Sequence, residues 1–92
     1  MTIFTIIQQP GTVGDKLANA VTAAYTDDLY DLGNGAWLVA DSATAMEVSK
    51  KVGITDGVNG SGIVVEIASY YGRTNPAVWS WIKTKWEGSV GG

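Results

Sequence analysis

The 92-residue chain contains neither cysteine nor histidine, and only 16% of its residues are charged. Without cysteine it can form no disulfide and offers no thiolate nucleophile. Without histidine it lacks the usual general base, the commonest zinc ligand and the Ser-His-Asp and Cys-His catalytic groupings. We therefore predict a protein that is not an enzyme and that has no catalytic residues, no metal site and no cofactor.

The net charge of the chain indicates which partners it disfavours, and the N-terminal residues indicate where the protein is located. The formal net charge is −3, which disfavours broad nucleic-acid binding because that requires clustered Lys and Arg to neutralise phosphates. The N-terminal apolar run stops at Ile7, far short of the ~20 residues that span a bilayer, and no basic segment precedes it. We expect a soluble cytoplasmic protein without membrane attachment.

The hydrophobic pattern predicts one α+β domain over residues 1–88 and a flexible tail at 89–92. Strands are predicted at Thr2–Gln9, Leu29–Leu32, Ala36–Ala40 and Gly62–Tyr71, and helices at Thr12–Tyr25, from a Ser42 or Thr44 cap to Gly53, and from Pro76 to Gly88. Right-handed crossovers turn this order into a ferredoxin-like βαββαβ two-layer sandwich with an additional C-terminal helix. The first and third strands are then central, and both are apolar on both sides. We expect the additional helix to cover the open sheet face or its edge.

The middle half of the chain carries a family resemblance. AWLVADSATAMEVSKKVGI followed by SGIVVEIASYYG resembles, in hydrophobic pattern and topology, the small ferredoxin-fold proteins of the CRISPR-associated endoribonuclease group, whose fold some toxin and antitoxin proteins share. The resemblance implies that fold and dimerisation through the open sheet or its edges. Nuclease members have an aspartate at the end of the first strand, where this chain has Gln8, Gln9 and Pro10, so nuclease activity is not implied.

Aromatic and basic residues alternate near the C-terminus. Helical spacing predicts a buried stripe of Val78, Trp79, Ile82 and Trp86, and it places Trp81 at the margin with Lys85 over its ring as a cation–π pair. A marginal tryptophan is typical of a protein interface, whereas aromatics beside cations also suit single-stranded nucleic acids. The predicted binding residues are Trp81, Lys85, Tyr70, Tyr71 and Arg73.

Two other segments have weaker patterns. Asp27, Asp28 and Asp31 form the densest carboxylate cluster, for which solvated surface is the favoured interpretation and a cation site the alternative. The glycine-rich segment at residues 57–62 precedes a strand rather than a helix, so we interpret it as a connection and not as a phosphate-binding loop.

Together these features support one leading hypothesis and one alternative. The leading hypothesis is a small non-enzymatic interaction protein, either a homodimer or an adaptor that binds another protein. The alternative is an RNA-binding, single-stranded nucleic-acid-binding or nuclease-like protein of the group that the chain resembles.

Overall fold

The computed structural model describes residues 1–12 and 14–90, the last four of these as helical backbone. The strands are β1 (Thr2–Gln8), β2 (Leu29–Gly33), β3 (Ala36–Asp41) and β4 (Gly62–Glu66), and the helices are α1 (Lys16–Ala24), α2 (Ala45–Lys51) and α3 (Pro76–Val90). This is the predicted βαββαβ order followed by an additional helix.

The four strands form one antiparallel sheet in the order β2-β3-β1-β4. This order is that of a ferredoxin-like sandwich, with β1 and β3 in the centre as predicted. The β3 residues from Trp37 to Ala40 are all buried, so this strand is covered on both sides. The predicted fold class is confirmed.

The first face of the sheet, defined as the face covered by α1 and α2, holds the larger core. It contains Phe4, Ile6, Leu17, Val21, Tyr25, Trp37, Val39, Val48 and Val52. The strand members alternate along β1 and β3, because successive side chains of a strand point to opposite faces. Burial of these apolar side chains is the main favourable contribution to folding.

The second face carries a smaller core beneath α3. Ile3 of β1 and Leu38 of β3 pack with Val78 and Ile82 of α3, and all four side chains are buried. The C-terminal helix therefore covers part of the face that α1 and α2 leave open, as the two-sided hydrophobicity of the central strands predicts.

Local capping defines the ends of α2. The Thr44 hydroxyl accepts a hydrogen bond from the Glu47 N–H, and the Glu47 carboxylate accepts one from the Thr44 N–H, which completes a capping box. After the helix, Gly53 has a φ of 76° and Ile54 packs back onto the first core, as expected for a left-handed C-terminal cap.

Two predicted boundaries inside the domain are wrong by several residues. Helix α1 begins at Lys16 rather than Thr12, because the Thr12 hydroxyl donates to backbone carbonyls of Gln9 and Ser61 instead of capping the helix. Strand β4 ends at Glu66 rather than Tyr71. The register of β4 on β1 leaves almost no β1 residue to pair with it beyond Ile67, so the chain lacks a partner strand from there on.

The C-terminal end also differs from the predicted limit. Helix α3 continues to Val90, two residues beyond the predicted end at Gly88, and so includes the first two residues of the predicted tail at 89–92. The other two, Gly91 and Gly92, lie outside the described residues, as does Val13 of the predicted helix at Thr12–Tyr25.

If α3 belongs to the folded core, Ile82→Ala should lower the free energy of unfolding by about 2–5 kcal/mol, the usual range for a buried Ile-to-Ala change. Urea denaturation followed by circular dichroism measures this. Met46→Ala is the matched control on the exposed surface of α2 and should change stability by less than about 0.5 kcal/mol. Equal effects of the two substitutions would contradict the packing of α3 on the sheet.

Candidate functional site

One aromatic cluster holds α3 to the segment that follows β4. The Tyr70 ring stacks on Trp79 with 5.5 Å between ring centroids, and it lies 5.8 Å from the Trp86 ring in a tilted arrangement. Trp79 and Trp86 are half-buried and pack against the second core. They therefore contribute to the core as predicted, but at its border rather than fully inside it.

A second aromatic contact lies on the other flank of α3. Trp81 is half-buried and meets Tyr30 of β2 edge-on at 6.2 Å. The Lys85 ammonium donates to the Asp28 carboxylate at 2.9 Å. Lys85 therefore pairs with Asp28 instead of stacking on Trp81 as predicted, because the Asp28 carboxylate lies within hydrogen-bond reach of the ammonium group.

The structure brings together two of the predicted binding residues and separates the others. Tyr70 and Tyr71 line an open cleft of about 220 Å³ with Gly72 and Trp79, and the Tyr71 side chain is fully exposed. Arg73 is exposed and follows the cleft in the chain. Trp81 and Lys85 lie on the opposite flank of α3, so the five residues do not form one patch.

Sequence reasoning missed an apolar surface on the second face. Ile7 pairs with Ile63, and Thr5 pairs with Val65, in the register of β1 on β4. Side chains of directly paired residues lie on the same face, and Ile7 shares the face of Ile3. Ile7, Ile63 and Val65 are 37%, 46% and 46% exposed, so α3 leaves each of them partly open to solvent. We call these three side chains the open surface.

The open surface ends at a free strand edge. Strand β4 is the last strand of the sheet, and its outer side has no strand beside it within residues 1–12 and 14–90. In the sequence, Ile63 and Val65 alternate with Val64 and Glu66, and this alternation predicts a strand. Only the order of the strands in the sheet shows that this strand lies at an edge.

A compact polar group lies at the other side of the molecule. The Tyr25 hydroxyl donates to the Asp41 carboxylate at 2.7 Å, and the Lys51 ammonium donates to the same carboxylate at 2.6 Å while lying over the Tyr25 ring. Burial, followed by the adjacent Asp41 carboxylate, raises the pKa of the Tyr25 hydroxyl well above its ordinary value.

The Asp41 carboxyl has the opposite shift. Burial alone would raise its pKa, but the hydrogen bonds from Lys51 and Tyr25, the charge of Lys51 and the Ser42 N–H together outweigh burial and lower the pKa. Because each polar group of this cluster already has its partner, the cluster ties α1 and α2 to β3.

The predicted carboxylate cluster is divided among separate contacts. Asp28 binds Lys85, and the Asp31 carboxylate accepts a hydrogen bond from the Gly33 N–H in the β2–β3 turn. In the described part of the chain, no three carboxylates lie close enough together to hold a metal ion. Within the same residues, no helix has both the length and the apolar character needed to cross a membrane.

Comparisons with protein-family models, with curated proteins and with solved structures found no match. The resemblance to the CRISPR-associated endoribonuclease group therefore stays a prediction. The geometry of the chain itself is the basis for any statement about its function.

The Tyr25 hydroxyl should make the fold sensitive to alkali. Unfolded Tyr25 ionises near pH 10 whereas the folded side chain keeps its proton, so the free energy of unfolding should fall as pH rises above about 10. Tyr25→Phe removes the ionisable group and should show a smaller fall. Urea denaturation of both proteins between about pH 8 and pH 11 tests this. Equal falls in both would show that Tyr25 is not responsible.

Proposed function

We propose that this chain is a small non-enzymatic interaction protein that acts as a homodimer. The observation that carries the proposal is the open surface of Ile7, Ile63 and Val65 beside the free edge of β4. Contiguous exposed apolar residues at one place on a small domain are typical of a protein–protein interface. A cytoplasmic location remains a prediction that goes with this proposal.

The size of α3 explains why part of the second face stays open. A helix is about 10–12 Å wide, whereas a four-stranded sheet is roughly 19 Å wide and β1 is roughly 24 Å long. One helix therefore covers only part of that area, and the β1–β4 side carries the remainder. The apolar character of the uncovered residues favours cover by a second molecule over permanent exposure.

The charge distribution also favours a protein partner. Of the six Lys and Arg residues in the chain, Lys51 and Lys85 are paired with Asp41 and Asp28. Tyr70 already stacks on Trp79, and Trp81 packs against Tyr30. These contacts occupy aromatic faces and cations that nucleic-acid binding would require free, so they favour the interaction protein over the nucleic-acid alternative.

The homodimer is tested by light scattering after gel filtration over a concentration range that extends well above micromolar. We expect a mass twice that of one chain. The double substitution Ile63→Lys and Val65→Lys places cations on the open surface and should weaken the dimer at least about tenfold, or about 1.4 kcal/mol.

Leu32→Lys is the matched control. Leu32 is 39% exposed on β2, the strand at the opposite edge of the sheet, so this substitution should leave the dimer intact. A wild-type protein that stays monomeric at every concentration would rule out the homodimer. A double variant that dimerises like the wild type would show that the interface lies elsewhere.

The nucleic-acid alternative is tested by titrating single-stranded RNA while tryptophan fluorescence is followed at low and high salt. We expect no salt-sensitive quenching, because the aromatic rings of α3 are engaged within the chain. Quenching that weakens steeply as salt increases would support the alternative, since phosphate contacts release counterions. Tyr71→Ala, at the exposed residue of the cleft, would then show whether the cleft is the binding site.

A further inference from the structure

The backbone of β4 has one side that makes no contact with β1. The Ile67 N–H donates to the Ile3 carbonyl, and the Gln9 N–H donates to the Ser61 carbonyl, each at 2.9 Å. In an antiparallel pair the residues that exchange hydrogen bonds alternate with residues that do not. The odd-numbered residues of β4 therefore bond to β1. Their even-numbered neighbours Gly62, Val64 and Glu66 direct N–H and C=O groups outward.

The other edge of the sheet is protected against pairing, and β4 is not. Strand β2 has a register irregularity between Asp31 and Gly33, and Asp31 adds a charge there. A bulge and charged side chains are common devices that prevent a strand edge from joining another chain. Strand β4 is regular from Gly62 to Glu66, has no proline or lysine, and bears its single charge at its end.

From this geometry we infer that two copies of the chain pair through antiparallel β4 strands, with the two-fold axis at Val64. The inference rests on the homodimer proposed above and specifies its interface. The pairing joins two four-stranded sheets into one continuous sheet of eight strands. The occupant of the β4 edge is a second copy, because antiparallel pairing about Val64 places no like charges opposite each other and brings Ile63 of one copy against Val65 of the other.

When the two-fold axis lies at Val64, every outward N–H and C=O group of β4 has a hydrogen-bond partner on the second copy. Val64 faces Val64 of the second copy, and Gly62 faces Glu66 twice, once on each side of the axis. These three pairs exchange two hydrogen bonds each, six in all, by the alternation of an antiparallel ladder. Ile63 then lies directly opposite Val65 in the closely spaced pairs between them, so the two open surfaces become continuous.

Charge disfavours one alternative register, and apolar contact disfavours another. A shift that centres the axis on Glu66 would place two carboxylates directly opposite each other, which destabilises a strand pair. A shift toward Gly62 would lose the contact between Ile63 and Val65. With the axis at Val64, each Glu66 faces a glycine, which has no side chain and no charge.

The absence of native cysteine allows a direct test of the register by disulfide formation. Ile63→Cys and Val65→Cys each replace an exposed side chain and are prepared as separate proteins. Under mild oxidation, their equimolar mixture should form mixed disulfide dimers about tenfold faster than either protein alone. Directly opposed residues lie within disulfide range, whereas residues offset along the ladder are too far apart.

Each other outcome has a distinct meaning. Faster crosslinking of Ile63→Cys alone, or of Val65→Cys alone, would place the axis at that residue and overturn the register at Val64. Slow crosslinking in all three samples, with a dimer still present by light scattering, would overturn β4 pairing but leave the proposed homodimer. A monomer by light scattering would overturn both, and would point to a different protein as the partner of β4.

A backbone substitution supplies an independent readout. Glu66→Pro removes an outward N–H without removing a hydrogen bond to β1, since residue 66 is one of the outward residues. It should weaken the dimer at least about tenfold in light scattering, which is about 1.4 kcal/mol. Glu66→Ala removes the same charge but keeps the N–H, and it should leave the dimer intact. Equal behaviour of the two variants, with unchanged circular dichroism, would overturn the inference.

Discussion

The structure depends on the burial of β1 and β3 from both faces of the sheet. Phe4 and Ile6 lie in the core beneath α1 and α2, while Ile3 and Leu38 lie in the core beneath α3. Right-handed crossovers place α1 and α2 on the same face, so they cannot cover both cores. The C-terminal helix is therefore an integral part of the domain, because without it the second face of the central strands would be exposed to water.

The aromatic residues near the C-terminus serve chiefly to attach this helix. Trp79 and Trp86 contact Tyr70 on one flank, and Trp81 contacts Tyr30 on the other. Aromatic pairs of this kind contribute about 0.5–1.5 kcal/mol beyond their buried area, which is substantial for a small domain. The sequence segment richest in apparent binding residues is thus mostly structural. The exposed apolar side chains of the open surface lie on β1 and β4 instead.

Much of the fold could be predicted from the sequence. The capping box of Thr44 and Glu47 and the glycine at position 53 delimit α2 by local chemistry, and the apolar character of both sides of β3 identified a central strand. The predicted start of α1 is wrong because the Thr12 hydroxyl donates a hydrogen bond to the carbonyl of Ser61, which is distant in the chain. Such a contact leaves no trace in the local pattern.

The candidate site was less predictable for the same reason. Lys85 is four residues from Trp81, a spacing that suggests a contact, but Asp28, 57 positions away in the chain, takes its ammonium group. Conversely, the sequence pattern predicts ordinary strand residues at Ile7, Ile63 and Val65. Nothing near these positions in the chain indicates that their side chains are exposed. Whether an apolar strand residue is covered depends on which helix reaches it, and this is a property of the assembled layers.

By itself the sequence determined the elements, their order and the central position of β1 and β3, because periodicity, caps and turns are local and crossover handedness restricts the topology. Only the tertiary structure decided which of these residues remain available to a partner. Helix α3 is too narrow to cover the whole second face, and the ladder from β1 bonds only the odd-numbered residues of β4. The partly exposed side chains of the open surface and the outward backbone groups of Gly62, Val64 and Glu66 follow from those two spatial facts.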